Sequence, residues 1–195
     1  MTVTPVACGG EESTDESQAP APAPAGPPNL ATLSGVDTFV APTPGAEAVT
    51  YNPALVPEGA SILASIMPAG HGSTQTGANL SVAGLLPNRG YVARAHTNAC
   101  GATAAEAGTP YQNRIDPAGR QASSTDPQYA NPRNELWLDI RTDGDGSASS
   151  GASVPFTFTD RAPASIVLYD TQTTAPGPVG VPVACLNLTS TPRSG

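Results

Sequence analysis

The sequence predicts an all-β domain, an eight-stranded Greek-key β-barrel or sandwich with two long loops, preceded by a disordered N-terminal tail. Three observations carry that expectation. Short runs rich in Val, Ile, Leu and Thr lie between clusters of Gly, Pro and Asn, the pattern of strands separated by turns. Apolar residues do not recur at helical spacing over any sustained stretch. Glycine and proline are abundant, at 20 and 22 residues, and they punctuate the chain at short intervals. With 195 residues there is room for one hydrophobic core and a tail.

The strands are predicted in order. Val36-Asp-Thr-Phe-Val40 and Ala48-Val-Thr-Tyr51 form a first strand region, broken by the Pro44-Gly45 turn. Ala60-Ser-Ile-Leu-Ala-Ser-Ile66 alternates small polar and apolar residues, as a half-buried strand does. Ala78-Asn-Leu-Ser-Val-Ala-Gly-Leu85 is next, and Pro87-Asn-Arg-Gly90 makes a tight turn into Tyr91–His96. A long loop rich in Gly, Pro, Ser and Asp then runs from Thr97 to about Arg133. Glu135-Leu-Trp-Leu-Asp-Ile-Arg141 is predicted as a strand with Leu136, Leu138 and Ile140 on one face and Trp137 opposite. Asp143-Gly-Asp145-Gly146 lacks the further acidic ligands of a calcium loop and reads as a hairpin turn. Val154-Pro-Phe-Thr-Phe158, Ser165-Ile-Val-Leu-Tyr169 and Val183–Leu188 complete the set, about eight strands arranged as a Greek key.

Charge narrows the functions. The formal net charge is −8, and all 8 basic residues are arginine. Such a surface argues against nucleic acid and against anionic membrane surfaces as partners. No span approaches the ~20 apolar residues of a transmembrane helix. The three cysteines are Cys8, Cys100 and Cys185, two in strand-like contexts and one in the tail, which suits an oxidising compartment. With two histidines, His71 and His96, there is no recognisable nucleophile–base pair and no phosphate-cradling loop.

Residues 9–33 combine acidic residues with Ala-Pro repeats and are expected to form a disordered, semi-rigid tether. Val6-Ala7-Cys8-Gly9-Gly10 resembles the end of a bacterial lipoprotein signal, which makes residues 1–8 the remnant of that signal and Cys8 the lipidation candidate. An incidental tail cysteine is the alternative. Residues 34–190 are assigned to the β-domain and 191–195 to a C-terminal tail.

Several segments, taken in order, are specific. They are Val49-Thr-Tyr-Asn-Pro-Ala-Leu-Val-Pro57, Leu85-Leu-Pro-Asn-Arg89, Ala95-His-Thr-Asn-Ala-Cys-Gly101, Tyr111-Gln-Asn-Arg-Ile-Asp-Pro117, Asp126-Pro-Gln-Tyr-Ala-Asn-Pro132, Asn134-Glu-Leu-Trp-Leu-Asp139 and Ala184-Cys-Leu186. Together they resemble the bacterial copper-zinc superoxide dismutase-like family of secreted and lipoprotein type, over roughly residues 36–189. The resemblance implies a superoxide dismutase-like barrel with a disulfide between Cys100 and Cys185. It also implies a copper site built from imidazoles, and most of these are replaced here. The family's His-x-His reads Arg94-Ala95-His96, its bridging histidine position carries Pro110, and its last histidine position carries Tyr169. The zinc subsite has no histidine between Pro110 and Asn134, and the guiding-arginine position holds Pro182. Only His96 is retained as a copper-ligand position.

The residues themselves suggest blander roles. A lone His96 at a strand end is expected to hydrogen-bond a backbone carbonyl, and Tyr169 to pack or hydrogen-bond rather than ligate. Arg94 places a fixed positive charge where a cation would sit, and can pair with Asp139 or Asp170. His71 is expected to be solvated in a turn. The leading expectation is therefore a degenerate, non-catalytic family member with no cofactor, acting as an extracytoplasmic binding or structural module. Its partner would be an unidentified protein, and it would meet the membrane only through a lipid at Cys8. The alternative is an active dismutase with a non-standard site using copper, with or without zinc, through His96 and Tyr169. A surface copper scavenger using oxygen donors of loop 101–133 ranks last.

Overall fold

The computed structural model describes residues 1–2, 32–70, 72–119, 123–171 and 179–191. Cys8, the tether up to residue 31, His71 and the last residues of the C-terminal tail lie outside the described residues. The described chain is all-β, with ten strands: β1 (Thr32–Thr38), β2 (Ala48–Thr50), β3 (Ser61–Pro68), β4 (Thr76–Ala83), β5 (Gly90–His96), β6 (Ile140–Arg141), β7 (Ala148–Val154), β8 (Ser165–Tyr169), β9 (Pro182–Asn187) and β10 (Thr189–Thr191). They form two five-stranded antiparallel sheets, ordered β10-β1-β3-β4-β7 and β2-β9-β8-β5-β6. The sheets are packed layers and do not close into a barrel.

Side-chain alternation builds the core. Ile62, Ala64 and Ile66 of β3 and Ala78, Leu80 and Val82 of β4 point inward, with Leu63, Ser65, Asn79 and Ser81 outward. They meet Ala93, Ala95, Ile166, Leu168, Ala184 and Leu186 of the second sheet, with Leu136 and Leu138 closing one side. Burying a side chain such as Leu80 or Ile166 contributes about 1.5–3 kcal/mol of transfer free energy. Asn88 takes a positive φ of 55° in the tight turn before β5, a conformation asparagine tolerates better than most residues.

The outermost strands run past residues 34 and 190, the expected limits of the β-domain. Thr32 pairs with Thr191, so β1 starts inside the segment assigned to the tether and β10 ends at the start of the expected tail. The predicted first strand region divides between the two sheets, because the turn at Pro44-Gly45 carries the chain from β1 across to β2. Glu135–Arg141 is strand only at Ile140–Arg141. The Asp139 carboxylate takes the Ala93 N–H at 2.8 Å, where a regular ladder would use a backbone carbonyl. Leu136, Leu138 and Ile140 nonetheless face the core as expected, with Trp137 opposite. The strand expected at Val154–Phe158 ends at Val154 and lies before it, since Pro155 has no N–H to continue the ladder. Asp143 accepts the Asp145 and Ser147 N–H groups through its carboxylate at 2.9 Å each, so its segment is a tight turn as expected, but not a hairpin: it carries the chain from β6 in one sheet to β7 in the other.

In β5 and β8 every residue is buried, so the second sheet is covered on both faces. Its outer face carries a second, smaller core of Val49, Val92, Val167, Tyr169 and Cys185, roofed by Ala107 of a short 3-10 turn, Ala104–Ala107. The long loop after β5 is held down by the Cys100–Cys185 disulfide, which spans 85 residues of sequence. The Cys100 N–H also donates to the Asn187 side chain at 2.7 Å, and the Tyr51 hydroxyl to the Gly101 carbonyl at 3.1 Å. The disulfide is compatible with an extracytoplasmic location. Among the described residues no helix is long and apolar enough to cross a membrane.

Candidate functional site

Strand geometry gathers the residues singled out in the sequence beneath this roofing loop. In β5 the inward side chains are Tyr91, Ala93 and Ala95, so Val92, Arg94 and His96 share the outer face. The β5–β8 register sets Val92 opposite Tyr169, Arg94 opposite Val167 and His96 opposite Ser165. Pro110 forms a backbone bridge with His96, flanked by bonds from the Thr97 N–H to the Thr109 carbonyl and from the Tyr111 N–H to the Ala95 carbonyl. Pro182 opens β9 and stands opposite Tyr169 at an irregularity between β8 and β9. Arg94, His96, Pro110 and Tyr169 thus lie together, with Pro182 beside Tyr169.

What fills the place is a hydrogen-bonded network. The Tyr169 hydroxyl and His96 Nε2 are 2.6 Å apart, and His96 Nδ1 is 3.1 Å from the Gly108 carbonyl. A carbonyl only accepts, so Nδ1 carries the proton and Nε2 accepts from the phenol. Both ring nitrogens are therefore engaged. Burial disfavours the imidazolium and pulls the His96 pKa down from 6.5 to about 4, a shift that the Gly108 and Ala107 carbonyls oppose and Arg94 reinforces. Burial likewise pushes the Tyr169 phenol far above its ordinary range.

Arg94, 2% exposed, lies alongside. Its guanidinium forms an ion pair with Asp139, donates to the Ala93 carbonyl at 2.8 Å and stacks 4.0 Å from the centre of the Trp137 ring. Of the two expected partners it takes Asp139. Asp170 is otherwise engaged, accepting from Arg89 through its carbonyl and from the Val181 N–H through its carboxylate. Arg94 Nε has no hydrogen-bond partner, the one unsatisfied polar atom of the cluster. Trp137 Nε1 donates to Glu135 at 2.8 Å, and Gln112 Nε2 donates to the other Glu135 oxygen at 2.8 Å. Burial raises the Glu135 pKa, and these two bonds, with Arg94, pull it back down.

Trp137, Glu135 and Gln112 were not singled out by sequence reasoning. Their part depends on a tertiary pairing between residues 135–139 and β5 that no local pattern encodes, although the position of Trp137 opposite the Leu face was a partial signal.

Copper or zinc does not fit this residue set. The only imidazole has both nitrogens hydrogen-bonded, the neighbouring tyrosine is held in its neutral form, and a buried guanidinium stands where a cation would be repelled. Among the described residues no group of three or more His, Cys, Asp or Glu side chains could hold a metal ion. No protein-family model and no curated protein sequence matches this chain.

Proposed function

We propose that this chain is a superoxide dismutase-like domain whose metal centre has been replaced by an internal polar network, and that it serves outside the cytoplasm as a non-catalytic binding or structural module. The observation that carries the proposal is that Arg94, His96, Pro110 and Tyr169 lie together with their polar groups already taken, His96 by Tyr169 and the Gly108 carbonyl, and Arg94 by Asp139. The ordered segments that resemble the family support the superoxide dismutase-like part. So does a topology in which β4 pairs with β7 while β5 and β6 lie in the other sheet, as a Greek-key path would have it. The Cys100–Cys185 bond joins the loop after β5 to β9, where the family's frame calls for it.

In this reading the network substitutes side-chain bonds for metal bonds in holding the roofing loop to the sheet. Anchoring through a lipid on Cys8 would place the domain at a membrane surface, and Cys8→Ser would release it into the soluble fraction of cells. The direct test is to fold the purified chain with copper and zinc present, then measure bound metal and superoxide dismutation. The expected result is no stoichiometric copper and no dismutation beyond that of free copper. Stoichiometric copper with an enzyme-like rate would overturn the proposal.

A further inference from the structure

The Tyr169–His96 pair has a chemistry that the non-catalytic reading does not use. A phenol loses an electron readily only if its proton can leave at the same time, because the oxidised phenol is a very strong acid. The electron can tunnel through several ångströms of protein. The proton moves only along a hydrogen bond, and only to a base.

All five tyrosines are described, and they differ in this respect. Tyr51, Tyr91 and Tyr111 donate to the backbone carbonyls of Gly101, Leu55 and Arg161, at 3.1, 2.6 and 3.2 Å. An amide carbonyl accepts a hydrogen bond but is too weak a base to take the proton. Tyr129 lies beneath the Arg114 guanidinium, a cation. Tyr169 alone donates to an imidazole nitrogen, at 2.6 Å, with phenol and imidazole 2% and 3% exposed. The His96 ring is held by the Gly108 carbonyl in the tautomer that presents a lone pair to the phenol.

We propose that Tyr169 and His96 form a proton-coupled one-electron redox site, oxidised by small inorganic radicals. In the step, one electron passes from the Tyr169 phenol to the radical, which becomes its anion. At the same time the phenol O–H bond breaks, and the proton forms a new bond to His96 Nε2. The products are a neutral phenoxyl radical on Tyr169 and an imidazolium on His96 that keeps its Nδ1–H on Gly108. The Gly108 and Ala107 carbonyls favour the new imidazolium, whereas burial and Arg94 oppose it and favour the proton's return. A one-electron donor of the enediol class restores the phenol, with the proton moving back along the same bond. Burial of both rings shields the radical from coupling with a second one. The site stands on this geometry alone and does not depend on the family resemblance.

The test is pulse radiolysis of the full chain with azide radical as oxidant, read by transient absorption and freeze-quench electron paramagnetic resonance. The expected result is a phenoxyl signal that survives in wild type and is lost in Tyr169→Phe. In His96→Gln, whose amide oxygen can accept the hydrogen bond but not the proton, the Tyr169 signal should fall to the Tyr169→Phe level while the thermal unfolding midpoint shows a folded protein. In wild type alone, the phenoxyl should show hyperfine coupling to one exchangeable proton that disappears in D2O. An undiminished signal in Tyr169→Phe, an unchanged one in His96→Gln, oxidation that stops at Trp137, or a wild-type phenoxyl without that coupling would each overturn the proposal.

Discussion

Acidification from pH 7 to pH 4 should weaken the fold through His96, and the size of the effect follows from the site. The imidazole is 3% exposed, and burial sets its folded-state pKa at about 4 against an ordinary 6.5. The folded state therefore resists a proton that the unfolded chain accepts. Above pH 6.5 neither state is protonated and the group costs nothing. As pH falls from 6.5 to 4 the unfolded state gains the proton first, and stability declines by about 3 kcal/mol before levelling off below the folded pKa. Glu135, whose pKa burial raises, works in the opposite sense over the acid end of this range, and other carboxylates titrate there too. The assay is therefore a difference: denaturant unfolding of wild type and His96→Gln at pH 7 and pH 4. Wild type should lose about 3 kcal/mol more than the variant over that interval. Equal losses would mean that His96 is hydrated or charged in the native protein, and would refute the buried Tyr169–His96 bond.

Arg94→Met leaves the Asp139 carboxylate, whose side chain is 9% exposed, without its cation and should cost about 3–5 kcal/mol. The same change in an Asp139→Asn background should cost much less, and a double-mutant cycle with no coupling would count against the ion pair. Reducing the Cys100–Cys185 disulfide, or replacing both cysteines with serine, should lower stability by about 4.5 kcal/mol on the chain-entropy argument for an 85-residue separation. Gly35→Ala in β1 would drive a methyl group into the Asn187 carbonyl oxygen and the Leu186 side chain, and should cost about 1–3 kcal/mol in denaturant unfolding. Gly77→Ala in β4, where the nearest atom is the Met67 carbonyl at 3.9 Å, should be tolerated as the matched control.

Much of the fold was legible from the period-two alternation in residues 60–66 and 78–85 and from the unbroken apolar run at 165–169. Those patterns reflect burial on one face or both, which sequence expresses directly. Strand β7 was not legible, because Ala148-Ser-Ser-Gly-Ala-Ser-Val154 is weak in β propensity and is strand only through its pairing with β4. The three-residue β10 was missed because it is too short to show an alternation and exists only as the partner of β1. At the site, the carbonyl bond of His96 and the packing role of Tyr169 were foreseen from the chemistry of a lone imidazole and a high-pKa phenol. Their bond to each other was not, because it needs the β5–β8 register. Asp139 was one of two candidates for Arg94, and only the fold distinguishes them. The stacking of Arg94 on Trp137 had no local signal at all.

The most direct measurement is nitrogen NMR of the His96 ring, titrated with copper(II) and zinc. The chain has only 2 histidines, so a His71→Gln variant assigns the resonances. The ring should be neutral at pH 7 with the proton on Nδ1 and a hydrogen-bonded lone pair on Nε2, unchanged by one equivalent of either metal. Selective loss or shift of the Nε2 resonance at stoichiometric metal would show that His96 leaves Tyr169 to bind the ion, and would contradict the proposed replacement of a metal centre by these side-chain bonds.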